Sequence, residues 1–134
     1  MPNHYHFLLR QDSDIPISTF IQRIFNSYTK AYNKKYERSG TLFEGRFKAI
    51  HVDKEGYLLH LCKYIHANPV KALLVEAPEE WEFSNYPEWV GERNGTLIDK
   101  DFVDEFGKEY AKELRDHLLH QDNIPEEVKR YLRV

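Results

Sequence analysis

The stretch Met1-Pro2-Asn3-His4-Tyr5-His6-Phe7-Leu8-Leu9-Arg10 decides how the rest of the chain is read. Asn3 to Leu9 is aromatic and apolar, holds no Gly or Pro, and follows Pro2, a residue that strands accept at their start. It predicts a β-strand. Side chains alternate along a strand, which puts His4 and His6 on one face and Tyr5 on the other. Two imidazoles on one rigid face are two-thirds of a metal site, or a pair of donors to phosphate. The plainer alternative is two polar residues on the wet face of an edge strand, and this stretch alone does not choose between them.

The totals narrow the setting. A chain of 134 residues and 16.1 kDa is one domain by length, with 41% hydrophobic and 31% charged residues as in a soluble globular protein. No apolar run approaches a membrane span, and no basic-then-apolar leader opens the chain. Cys62 is the only cysteine, so no internal disulfide can form; a cytoplasmic, reducing setting is expected. The net charge of −3 conceals an asymmetry: residues 1–75 carry 11 Lys/Arg against 6 Asp/Glu, and residues 76–134 carry 8 against 16. A basic half joined to an acidic half suits a nucleic-acid face backed by a solubilising one.

Ile17, Phe20, Ile21, Ile24, Phe25, Tyr28, Ala31 and Tyr32 recur in steps of three and four, which predicts an amphipathic helix running to about Tyr36. Ser13 or Asp14 is the expected cap, with Pro16 in the first turn. The other face carries Arg23, Lys30 and Lys34, which are either a solvated face or a phosphate track. Arg46 to Val52 predicts a second strand, with Arg46 and Lys48 sharing a face. Basic residues interleaved with rings suit single-stranded nucleic acid, and Tyr36 and Phe43 are the stacking candidates.

A second helix is expected from a cap at Asp53 to about Asn68, where Pro69 disfavours helix at the residue before it. Tyr64 and Asn68 are four apart and share a face, with Lys63 and Lys71 nearby. Trp81, Phe83, Tyr86 and Trp89 are expected to pack an acidic segment onto the core. A third helix is expected over about Asp101 to His120, and a short last one from Pro125.

Three blocks carry a resemblance. Met-Pro-Asn-His-Tyr-His-Phe-Leu-Leu at 1–9, Gly-Thr-Leu-Phe-Glu-Gly-Arg-Phe-Lys at 40–48 and Tyr-Leu-Leu-His-Leu-Cys-Lys-Tyr-Ile-His-Ala-Asn-Pro-Val-Lys-Ala at 57–72 resemble, in order and spacing, the REP-associated tyrosine transposases. Those are relatives of the single-tyrosine transposases of small bacterial insertion sequences, in the HUH nuclease superfamily; Trp-Glu-Phe-Ser-Asn-Tyr at 81–86 is similar too. The resemblance implies an α+β fold, an antiparallel sheet with helices packed on one face, ferredoxin-like in the HUH manner. Family members carry a further strand and helix before the Met-Pro-Asn-His block, so the sheet is expected to be incomplete at its N-terminal end. Residues 1–92 would form the catalytic domain and 93–134 a helical extension.

By the same resemblance, His4, His6 and Asn68 are the metal ligands and Tyr64 the nucleophile. The implied cofactor is a divalent metal, Mg²⁺ or Mn²⁺, and two imidazoles with an amide oxygen are borderline ligands that suit either. The implied activity is cleavage and rejoining of single-stranded or hairpin DNA of the REP palindrome kind through a 5′-phosphotyrosine, in a bacterial cytoplasm. Arg23, Lys30, Lys34, Arg46, Lys48, Lys63 and Lys71 are the expected DNA contacts. A homodimer stays open as a partner, and no membrane is expected. The competing reading is a non-catalytic hairpin-binding module. His51 and His66 receive no role.

Overall fold

A computed structural model describes residues 1–120 and 126–132. Among them there are helices and turns and no strand: α1 (Ile17–Lys35), α2 (Leu58–Lys71), α3 (Tyr86–Trp89), α4 (Lys100–Phe106), α5 (Tyr110–Leu119) and α6 (Glu126–Leu132). The expected antiparallel sheet, and with it the α+β ferredoxin-like fold, is therefore corrected. A pattern of alternation shows that a segment can be a strand, but a strand exists only where a second backbone takes up its N–H and C=O groups. Neither Asn3–Leu9 nor Arg46–Val52 finds one: among the described residues no backbone hydrogen bond ties the two segments. Each also crosses from one compact unit into the other, at Phe7/Leu8 and at Ala49/Ile50. A lone pair of strands would be marginal in any case.

The alternation itself survives in the side chains. Tyr5 and Phe7 stack with centroids 6.2 Å apart and planes at 7°, and His4 and His6 meet edge to face at 4.9 Å.

One unit comprises Leu8–Ala49. Its helix α1 starts without the expected cap at Ser13 or Asp14; Pro16 occupies the N-cap position, and the Ile17 amide donates to Gln11 Oε1 at 3.2 Å. Ile21 is buried, while Phe43 folds back edge-on to Phe25 at 4.7 Å, so this stacking candidate is engaged in the unit's own ring cluster.

The other unit comprises Met1–Phe7 and Ile50–Val134 and is built around α2. Leu61, Cys62 and Ala67 of α2 are buried with Tyr86 and Trp89 of α3, Val103 of α4, Tyr110 and Leu114 of α5, and Val128 and Tyr131 of α6. Phe83 instead points to solvent, and Trp81 is half-buried. Asp53 does not cap α2: its carboxylate accepts from the Tyr131 hydroxyl at 2.5 Å, and a 3-10 turn over Glu55–Tyr57 leads into the helix. Nor does α2 stop at Asn68. Pro69 lies inside it, buried, and the chain leaves the helix a turn later through Leu73 at φ 56°, with Leu74 N–H bonded to Pro69 C=O and Leu73 N–H to Val70 C=O. The single helix expected over 101–120 is two, α4 and α5, parted at Gly107. Pro125, the expected start of the last helix, lies outside the described residues.

Candidate functional site

His4, His6 and Tyr64 come together in the unit built on α2. The His6 ring lies edge to face with the His4 ring at 4.9 Å and with the Tyr64 ring at 5.7 Å. The local cause is the two-residue period of the N-terminal segment, which sets both imidazoles on one side, and the placing of Tyr64 on the half-exposed flank of α2. His4 Nδ1–H donates to Asn3 Oδ1 at 2.8 Å. Burial, and then the neighbouring His4, lower the His6 pKa below the usual histidine value, so His6 holds the neutral form that ligates metals.

Asn68 stands one turn beyond Tyr64 on α2, and its amide Nδ2 is buried without a partner among the described residues. The two ends of an amide are nearly isosteric, so the same site takes the oxygen if the group turns over. Among the described residues no three His, Cys, Asp or Glu side chains gather as a metal cluster. Two imidazole nitrogens and an amide oxygen are donor types that fit a divalent cation, although the ring contacts link only His4, His6 and Tyr64.

The basic residues fall into three situations. Arg23, Lys30 and Lys34 are exposed on α1, at spacings of seven and four that align them along one stripe. Arg46 and Lys48 are exposed in the irregular segment that follows. Lys63 and Lys71 are not open in this way. Lys63 is largely covered and pairs with Glu113 of α5 at 2.5 Å, and Lys71 donates to His117 Nε2 at 3.2 Å. Burial lowers the Lys71 pKa; burial followed by Lys71, Lys63 and His60 brings His117 down to about 4, which keeps it the acceptor of that bond.

One residue that sequence reasoning passed over is the most tightly held on α2. His66 is 3% exposed, with Nδ1 2.7 Å from the Tyr110 hydroxyl and Nε2 2.8 Å from Asn85 Oδ1. An amide oxygen only accepts, so Nε2 carries the proton and Nδ1 accepts from Tyr110. Burial lowers the His66 pKa to about 4 and raises that of Tyr110, so both stay neutral and fully paired. The signal in the sequence was faint: a histidine inside the apolar run of a helix, with partners 19 and 44 positions away.

With this geometry in view, comparison with known proteins gives the class. The family model described as IS200-like transposase matches residues 1–68, just over half of the chain, and the segment holds His4, His6, Tyr64 and Asn68. The protein belongs to that transposase family. No match is found among curated proteins or among solved structures. No described helix is long and apolar enough to cross a membrane.

Proposed function

We propose that the protein is a transposase of the REP-associated type that cleaves and rejoins single-stranded or hairpin DNA, with Tyr64 as nucleophile. The observation that carries this reading is the edge-to-face contact of the Tyr64 and His6 rings at 5.7 Å, with His6 itself paired with His4. The reading supplies each residue with a task. His4 and His6, with the Asn68 amide, would hold Mg²⁺ or Mn²⁺, whose bound charge would polarise a phosphodiester and offset its negative charge. The Tyr64 oxygen attacks phosphorus, the bond to the 3′ oxygen breaks, and the strand is left as a 5′-phosphotyrosine and a 3′-hydroxyl. The phenol gives up one proton and the leaving oxygen gains one, so the step is neutral overall. A 3′-hydroxyl can reverse it, which makes rejoining independent of ATP. The exposed Arg23, Lys30, Lys34, Arg46 and Lys48 supply phosphate contacts, which position DNA without reading its sequence.

A denaturing gel tests this. The full chain is mixed with labelled hairpin DNA and Mn²⁺ or Mg²⁺, beside Tyr64→Phe and the double variant His4→Ala/His6→Ala. A labelled band at protein-plus-DNA mass is expected for the wild type with metal and for neither variant. A wild type that binds the hairpin but forms no band overturns the catalytic reading in favour of a hairpin-binding module.

A further inference from the structure

The faces of α2 divide its labour. Two residues along a helix turn through about 200°, so His66 projects from nearly the opposite side to Tyr64. Tyr64 faces the His6 ring, while His66 is inserted among Tyr86, Trp89 and Tyr110, whose rings lie 5.5–5.7 Å from its own in edge-to-face contacts. Apolar packing is non-directional and lets a helix turn slightly about its axis. Hydrogen bonds at 2.7 and 2.8 Å to both ring nitrogens do not, because each fixes a direction as well as a distance.

Their anchors are themselves fixed. Tyr110 opens α5 and is fully buried. Asn85 sits in a loop braced by Arg93, whose guanidinium donates to the Glu82 carbonyl at 3.1 Å, to the Ser84 carbonyl, and to both carboxylate oxygens of Glu88 at 2.8 and 2.7 Å. A turn of about 10° moves a side-chain tip roughly 6 Å from the helix axis by about 1 Å. A misplacement of that size costs a reacting group on the order of a hundredfold in rate.

We infer that His66 is a positioning residue: its bonds to Asn85 and Tyr110 fix the rotation of α2 that keeps Tyr64 against His6. The inference rests on the reading of Tyr64 as nucleophile for its catalytic consequence. It assigns part of the site's precision to Asn85 and Tyr110, which lie beyond the segment shared with the family.

The test uses the full chain and two variants that each remove one bond, Asn85→Ala at an exposed position and Tyr110→Phe, which keeps the buried ring. Labelled tyrosine and histidine rings give a cross-relaxation peak between Tyr64 and His6 in the wild type. Both variants are expected to weaken that peak well below their melting temperatures. The adduct-forming rate should fall ten- to a hundredfold, with hairpin affinity within about twofold of wild type. Variants that melt earlier yet keep the peak and the rate would show that His66 only stabilises the fold, and the inference falls. If the wild type forms no adduct at all, the nucleophile reading fails, and the ring-to-ring peak alone decides whether His66 positions Tyr64.

Discussion

Leu73 is the residue at which the backbone is most at odds with its side chain. It ends α2 at φ 56°, in the left-handed region, and the bonds from Leu74 to Pro69 and from Leu73 to Val70 make the six-to-one and five-to-two pattern that glycine usually completes. An L-residue pays about 1–2 kcal/mol for that conformation. The Leu73 side chain offsets little of this, because it is 91% exposed. Leu73→Gly is therefore expected to stabilise the protein by about 0.5–1 kcal/mol, after the greater freedom of glycine in the unfolded chain is subtracted. Urea unfolding of the two proteins measures it, and an unchanged or lowered midpoint would show that Leu73 contributes a contact that its exposure conceals. The end of α1 is built alike, with Glu37 at φ 50° and Arg38 N–H bonded to the Asn33 carbonyl. Neither end could be located from glycine signals, since none stands there.

At the scale of elements, what could be read from the chain was what depends on neighbours in sequence. The three-and-four spacing from Ile17 to Tyr32 identified α1, and the second helix expected up to about Asn68 corresponds to α2 in place though not in its ends, because a helix satisfies its own backbone. The sheet failed because it is a relation between segments: the alternation of His4-Tyr5-His6-Phe7 is visible in its ring pairs, while the partner strand is not. The meeting of His6 with Tyr64 was anticipated only through family likeness, and the grip of Asn85 and Tyr110 on His66 was not anticipated. The split between α4 and α5 has a local cause. Gly107 N–H bonds to the Val103 carbonyl, Tyr110 N–H takes the Gly107 carbonyl in a tighter turn, and a Cβ at 107 would lie 2.5 Å from the Val103 oxygen. That oxygen is backbone and cannot swing aside. Gly107→Ala is expected to cost about 1–3 kcal/mol of stability. Thermal melting checks it, and a variant as stable as wild type would mean that the α4–α5 junction relaxes freely.

Over the whole molecule, the histidines whose pKa values are lowered gather in one unit. His6, His60, His66 and His117 belong to the unit built on α2, and burial is the leading cause that lowers the pKa of each. A histidine whose folded pKa lies below its unfolded value binds fewer protons in the folded state. Stability is then complete above the unfolded pKa near 6.5 and is lost as pH falls toward the folded value. For His66 that window runs from about 6.5 down to about 4. Across it the unfolded chain takes up a proton that His66, held neutral among Tyr86, Trp89 and Tyr110, does not, which lowers stability by roughly 2–3 kcal/mol by pH 4.5. His6, His60 and His117 are more open to solvent and add to the slope in the same direction with weaker effect. Unfolding free energies measured from pH 8 to 4.5 should accordingly be level down to about 7 and then decline. His66→Gln keeps a neutral side chain that can still donate to Asn85, so its curve should lose most of that decline even if its plateau is lower. An equal decline in the variant would place the proton uptake on the other histidines and argue against a neutral His66 held between Tyr110 and Asn85.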